Sequence, residues 1–360
     1  MEGPFSLLDG HEQVVFSNDR ETGLRCIIAI YSTALGPALG GTRFFPYPTE
    51  EDALVDCLRL SKAMAYKAAC AGLDLGGGKA VIIGDPARDK TEALLRAYGR
   101  IVESLNGRYV TACDIGTYPA DMAVVGRETR WATGSDPVEG GAGDSGILTA
   151  YGTYVAIKAC AQARWGSPDL AGRHIAIQGC GKVGRRLAEH LHGEGAKLTV
   201  ADVLAEAAAA CAERLGAEVV TPEKIHAVDA DVFSPNALGG VLDDDTIPEL
   251  QCAVVAGAAN NQLAQARHGL ALADAGILYA PDYVVSAGGI IQVGDELHPG
   301  GYREARARAR TATTGDRLLA VFALAERERI STAEAADRIA ERRIASISRL
   351  RGFWLPLSGR

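Results

Sequence analysis

The sequence predicts an α/β protein of two domains, and three observations carry the prediction. Short apolar runs such as KAVII, RYVTAC and HIAIQ alternate with stretches whose apolar residues recur every three to four positions, as in a sheet covered by helices. A glycine-rich passage at residues 133–146, TGSDPVEGGAGDSG, interrupts that alternation and reads as a hinge or crossing between domains. Beyond it an apolar strand runs into Gly179, Gly181 and Gly184, a helix follows, and a second strand ends at Asp202, the layout of a doubly wound dinucleotide-binding domain. At 360 residues the chain has room for a core in each half.

In the first half, HEQVVFSNDRETGLRCIIAIYST gives two strands joined by a polar turn. GPALGGTRFFPYPT follows as a loop, where Gly40, Gly41 and Arg43 suggest backbone held close to something anionic. The next helix opens with Thr49 and Asp52, a capping-box-like pair, and sets Leu54, Cys57, Leu58 and Ser61 at helical spacing, with Lys67 near its end. In AGLDLGGGKAVIIGD the glycines Gly76, Gly77 and Gly78 read as a ligand-facing loop that delivers Lys79 to a short buried strand. If that loop folds back beside the helix end, Lys67 and Lys79 share a cavity. Repulsion and desolvation would then lower at least one lysine pKa and fit it for base catalysis. Taken alone, the stretch equally fits a surface lysine after a flexible turn. It is not a P-loop, because Leu73 and Ala80 stand where that motif needs glycine and Ser or Thr. TEALLRAYGRIVESLNG is an amphipathic helix ended by Asn106 and Gly107. RYVTACDIGT is a strand whose apolar run stops at Asp114, which either completes an acid/base pair with Lys79 or simply forms a turn.

In the second half, LTAYGTYVAIKACAQARWG is a helix, and GCGKVG carries the dinucleotide motif through Gly179, Cys180, Gly181, Lys182, Val183 and Gly184. The first glycine makes the turn, the second admits the pyrophosphate, and the third lets helix and strand close. Asp202 would accept hydrogen bonds from the ribose hydroxyls and repel a 2′-phosphate, which favours NAD over NADP. DVFSPNALGG, CAVVAGAANNQL and ILYAPDYVVSAGGIIQVG continue the parallel sheet, each ending in small or amide residues suited to strand ends beside a ligand. Charged helices follow Gly300, and Phe353, Trp354 and Leu355 form a tail expected to pack on the first domain or on a subunit partner.

Composition narrows the partners. A formal net charge of −8 without a basic stripe argues against nucleic acid, and Arg303, Arg306, Arg308 and Arg310 read as a solvated helix face. Eight scattered cysteines with no CxxC pair suit reduced thiols in the cytoplasm. No apolar run reaches membrane-spanning length and no signal peptide is legible, so a soluble cytoplasmic protein with no membrane partner is expected. His190 and His192 lack a third ligand, and no metal is expected.

GPALGGTR, MAYKAACAGLDLGGGKAVI, VTACDIGTYPADM, the GxGxxG unit, AGAANNQL and YAPDYVVSAGGIIQV occur in one order. Together they closely resemble the leucine, valine and phenylalanine dehydrogenases, distant relatives of glutamate dehydrogenase, and GGAGDSGILTAYG is most similar to the valine-specific members. The resemblance implies an N-terminal α/β substrate and oligomerisation domain, residues 1–135 plus about 330–360, and a Rossmann-type NAD-binding domain, residues 136–329, with a cleft between them. It implies reversible oxidative deamination of an L-amino acid to its 2-oxo acid and ammonia with NAD, in a homo-oligomer. It places Lys67 with Gly40 and Gly41 on the substrate carboxylate, and gives Lys79 the attacking water and Asp114 the amine proton. Asn260 and Asn261 match amides beside substrate and nicotinamide, and Thr149 matches a residue near the nicotinamide end. Leu39 and Val293 stand where glutamate-specific relatives hold the side-chain carboxylate. With Ala112 and Ile290 they would enclose a hydrocarbon group and exclude an acid. Ile290 favours a short branched chain over phenylalanine, with valine first and isoleucine and leucine possible, since a methylene discriminates by only ~1–3 kcal/mol.

One position departs from the family pattern: Ser286 replaces the usual Asn beside the nicotinamide and substrate, so an amide contact is lost or relayed through water. A homologue dedicated to an unusual amino acid in a biosynthetic pathway is therefore an alternative. So are a non-catalytic NAD- or amino-acid-binding regulator and a reductase of imines or 2-oxo acids that needs no ammonia. The joint presence of Lys67, Lys79 and Asp114 argues against the regulator.

Overall fold

The computed structural model describes residues 4–351; Phe353, Trp354 and Leu355 lie outside the described residues. The described chain divides into two compact units, one of residues 4–145, 290–304 and 340–351, the other of Gly146–Gly289 and Ala305–Ile339.

The first unit holds β1 (Gln13–Asp19), β2 (Leu24–Ser32), β3 (Ala38–Phe45), α1 (Glu50–Cys70), β4 (Gly76–Ile83), α2 (Glu92–Ser104), β5 (Tyr109–Cys113) and α3 (Pro119–Val125). Its sheet runs β1-β2-β4-β3-β5; the first three strands pair antiparallel, while β3 is parallel to both β4 and β5. The unbroken apolar run in β2 is explained by cover on both faces. Cys26, Ile28 and Ile30 join the cluster containing Leu94, Tyr98 and Val102 of α2, whereas Ile27 and Ala29 meet Leu54, Cys57 and Leu58 of α1. Helix α1 starts at Thr49, whose side chain accepts the Asp52 N–H at 3.0 Å, as the sequence predicts.

Two glycine segments differ from the sequence reading. GPALGGTRFFPYPT is not a loop, because Ala38–Phe45 is an inner strand paired on both sides. Gly76, Gly77 and Gly78 are likewise not a loop but the opening of β4. Close approach requires glycine at these positions. A Cβ at Gly77 would lie 2.2 Å from the Ala65 nitrogen of α1, and one at Gly40 would lie 1.7 Å from the Gly78 carbonyl oxygen.

The second unit contains α4 (Gly146–Trp165), β6 (His174–Gln178), α5 (Lys182–Gly193), β7 (Lys197–Ala201), α6 (Ala205–Leu215), β8 (Glu218–Val219), β9 (Val232–Pro235), β10 (Val254–Val255), α7 (His268–Asp274), β11 (Leu278–Tyr279) and α8 (Asp282–Val285). All six strands are parallel, in the order β11-β10-β9-β6-β7-β8, so the winding reverses between β6 and β9. In such sheets ligands bind outside the strand C-termini at that reversal. ILYAPDYVVSAGGIIQVG continues the sheet only through β11. Its remainder is α8 and α9 (Gly288–Asp295), since a short apolar run fits a buried helix as well as a strand. Helices α10 (Glu304–Ala312), α11 (Thr314–Glu328) and α12 (Thr332–Arg351) follow. Unit boundaries fall inside α9 and α12.

Candidate active site

Lys79 leaves β4 immediately after the three glycines and is 5% exposed. Its Nζ lies 2.6 Å from Oδ2 of Asp114, the residue following β5. Arg43, on β3 between those strands, reaches the same Oδ2 with Nε at 3.1 Å. Arg43 also places Nη1 2.8 Å from Asp56 Oδ2 of α1, which accepts the Tyr47 hydroxyl at 2.5 Å. The anion that sequence reading placed near Gly40, Gly41 and Arg43 is therefore, for Arg43, the protein's own carboxylate. Burial raises the pKa of Asp114, but the charges of Lys79 and Arg43 outweigh it and hold the carboxyl below its ordinary value. The main chain fixes Asp114 as well, its N–H donating to Thr117 Oγ1 at 2.9 Å while that hydroxyl donates to the Thr42 carbonyl at 2.7 Å. At Gly41 a Cβ would lie 2.9 Å from the Asp114 Cβ, so β3 presents bare backbone beside the pair.

Lys67 is half-buried in the last turn of α1. Ala65 of α1 rests on Gly77 of β4, and Lys67 and Lys79 each lie two residues beyond that contact. The hydrocarbon candidates Leu39, Ala112 and Ile290 are buried at 0%, 6% and 4% exposure, and Val293 is half-buried. The helix bearing Val293 packs closely here, because a Cβ at Gly294 would lie 3.0 Å from Leu75 Cδ1 and 3.8 Å from Leu39 Cδ2.

The glycine-turn candidates lie at the winding reversal of the second sheet, where β6 ends. Gly179 has φ +94°, which suits glycine, and turns the chain from β6 into α5. A Cβ at Gly184 would lie 1.8 Å from the Gly179 carbonyl oxygen, whereas one at Gly181 would meet nothing within 4 Å. That contrast matches a glycine needed for helix packing and one bordering ligand space. Cys180 continues the turn, Lys182 and Val183 open α5, and its N-cap Gly181 supplies no side-chain cap, leaving first-turn N–H groups for an anion. Asp202 ends β7 with Oδ2 accepting the Cys180 N–H at 2.7 Å and Oδ1 accepting the Leu204 N–H at 2.8 Å, so its carboxylate is fixed beside the turn. Asn260 and Asn261 are exposed after β10, Asn261 with φ +54°, and their carbonyls lie against Gly239 in the segment after β9. At Gly288 a Cβ would lie 2.7 Å from the Thr149 nitrogen, which brings the start of α4 beside the segment carrying Ser286. Ser286 is 5% exposed, and its hydroxyl has no hydrogen-bond partner. The glycine cradle, the bare helix start and this orphaned hydroxyl fit a bound dinucleotide.

Sequence reasoning missed the hold of Asp56 and Tyr47 on Arg43, since residues far apart in the chain carry no mutual spacing signal. It also missed Gln292 on the helix of Val293 and Glu296 just past its end, for which no local signal existed. The eight cysteines, all among the described residues, form no disulfide. Among the described residues no helix is long and apolar enough to cross a membrane, and no cluster of His, Cys, Asp or Glu is arranged to hold a metal ion.

A buried lysine–aspartate pair in one unit and a glycine turn at the winding reversal of the other unit's parallel sheet are features of dehydrogenases that use a nicotinamide cofactor, and that is the class of this protein. Residues 11–131 match the Glu/Leu/Phe/Val dehydrogenase dimerisation domain, and residues 200–352 match the Glutamate/Leucine/Phenylalanine/Valine dehydrogenase family. A valine dehydrogenase of Streptomyces coelicolor is 56% identical over 93% of this chain and 93% of its own. A leucine dehydrogenase of Geobacillus stearothermophilus is 50% identical over 96% and 94%. The crystal structure of L-tryptophan dehydrogenase from Nostoc punctiforme superposes with a TM-score of 0.83 at 45% identity, covering 94% of this chain and 97% of that one. The chain belongs to the Glu/Leu/Phe/Val dehydrogenase family.

Proposed function

We propose that this chain catalyses the reversible oxidative deamination of a branched-chain L-amino acid, valine first, to its 2-oxo acid and ammonia, with NAD as cofactor. The observation that carries the reading is the buried Lys79 Nζ at 2.6 Å from Asp114, beside the backbone of Gly40 and Gly41. Lys67 and the main chain at Gly40 and Gly41 bind the substrate carboxylate. Asp114, held ionised, accepts a proton from the substrate ammonium, and Lys79 takes a proton from the water that attacks the imine carbon. When bound, NAD supplies the hydride acceptor. The turn of Gly179, Cys180, Gly181, Lys182, Val183 and Gly184 would hold its pyrophosphate, Asp202 its ribose hydroxyls, and Thr149, Asn261 and Ser286 its nicotinamide end.

Leu39, Ala112, Ile290 and Val293 enclose the hydrocarbon side chain, and Asn260 assists at the carboxylate. The relatives named for valine and leucine support a branched chain. We also infer a cytoplasmic homo-oligomer, a reading supported by the match to a dimerisation domain. A second reading, a homologue dedicated to an unusual amino acid, draws support from Ser286, whose buried unpaired hydroxyl differs from the amide common in the family.

NADH absorbance with L-valine, L-isoleucine, L-leucine, L-phenylalanine and L-glutamate tests the proposal, with Lys79→Ala as control. Valine-led turnover that vanishes in the variant supports it. Silence across the panel with NAD still bound refutes the branched-chain assignment and favours the second reading.

A further inference from the structure

Residues 134–142 form a loop whose neck is held by a backbone hydrogen bond, the Gly143 N–H donating to the Ser135 carbonyl at 3.2 Å, and by one side chain. Glu296, just past the end of α9, accepts the Gly134 N–H and the Ala142 N–H on the same Oε1, both at 2.9 Å. One turn earlier Gln292, 1% exposed, donates through Nε2 to the carbonyls of Ala142 at 2.7 Å and Asp144 at 3.2 Å. Between these two residues in sequence stands Val293. A Cβ at Gly134 would lie 3.9 Å from Val293 Cγ1 and 3.7 Å from the Sγ of Cys113, the neighbour of Asp114. The neck of the loop thus lies between the helix of Val293 and the end of β5, and one of the ties that hold it there is a half-buried carboxylate that has no part in the proton chemistry proposed above.

We propose that Glu296 is a positioning residue for substrate selection: by tying both ends of the loop to α9, it fixes the distance of Val293 from Gly134 and Cys113 and so the room left for the substrate's hydrocarbon group. This rests on the reading that Val293 borders that group. A side chain that only stabilised the fold would affect all substrates alike, whereas a brace on the pocket wall alters their ranking. One methylene in an apolar pocket is worth about 10–200-fold in discrimination, so a wall that yields slightly has a measurable effect.

The test is kcat/KM for L-valine, L-leucine, L-norleucine and L-phenylalanine with NAD, in the full-length enzyme and in Glu296→Ala, Glu296→Gln, Gln292→Leu and Val293→Ala. In Glu296→Ala the preference for valine over norleucine should fall by about tenfold through KM, with kcat on valine nearly unchanged. Glu296→Gln keeps an acceptor oxygen for both N–H groups and should restore most of the preference. Gln292→Leu, which cuts the second tie, should shift it in the same direction as Glu296→Ala. Should Glu296→Ala fail to fold by circular dichroism, Gln292→Leu decides. An equal fall in kcat/KM for every amino acid, or no change, overturns the proposal. If Val293→Ala shifts the ranking while Glu296→Ala and Gln292→Leu do not, only the brace is wrong. If none of the variants shifts it, the pocket reading falls as well.

Discussion

Replacing Arg43 with glutamine removes one of two cations from a single carboxylate oxygen. Arg43 Nε stands 3.1 Å from Asp114 Oδ2. At an effective dielectric constant of about 20, that separation is worth on the order of 5 kcal/mol of attraction. The two side chains are 20% and 22% exposed, so solvent screens part of it and lost hydration offsets more. A coupling of about 1.5–3 kcal/mol should survive in a double-mutant cycle of Arg43→Gln and Asp114→Asn, read from urea denaturation at neutral pH. The folded-state pKa of Asp114 lies below the ordinary 3.8, so its ionised form contributes stability that is present above that value and lost as pH falls through the folded one. The gap between wild type and Arg43→Gln should therefore be widest at neutral pH and narrow below about pH 3.8. Additivity of the two substitutions within about 0.5 kcal/mol would refute the argument that Arg43 acts through Asp114.

Gly184→Ala drives a Cβ to 1.8 Å from the Gly179 carbonyl oxygen and should lower stability by about 1–3 kcal/mol and abolish NADH fluorescence enhancement; Gly181→Ala meets nothing and should leave Tm unchanged while weakening NADH binding. Asp202→Ala should narrow the preference for NAD over NADP, measured as the ratio of kcat/KM values. Gly77→Ala, with Ala65 backbone 2.2 Å from the new Cβ, should push α1 off β4 and cost about 1–3 kcal/mol in denaturation, together with most of the activity.

The layout of strand, glycine turn, helix and strand-end acid was legible in the sequence because it is local, lying within residues 174–202. The Lys79 and Asp114 pairing was legible only in part. Both residues stand out at strand ends, but nothing in the sequence says that Arg43 joins them from a neighbouring strand or that Asp56 and Tyr47 hold it there. The glycine segments misled for a related reason. Local propensity reads glycine as loop, whereas its role at Gly40 and Gly77 is set by atoms distant in the chain, the Gly78 carbonyl and the Ala65 nitrogen. Glu296 showed no signal at all, since its partners are backbone N–H groups, which every sequence position except proline supplies.

The five glycines at 40, 41, 76, 77 and 78 lie in two adjoining strands. Each costs roughly 0.5–1 kcal/mol in a strand relative to alanine, together a few kcal/mol against a typical total of about 5–15. The usual route to heat resistance, glycine to alanine, is closed for this stretch, because every Cβ added there meets its nearest atom within 2.7 Å. Thermal tolerance in this chain has to be gained elsewhere, and a sheet that must stay bare beside its lysine limits how rigid the enzyme can become.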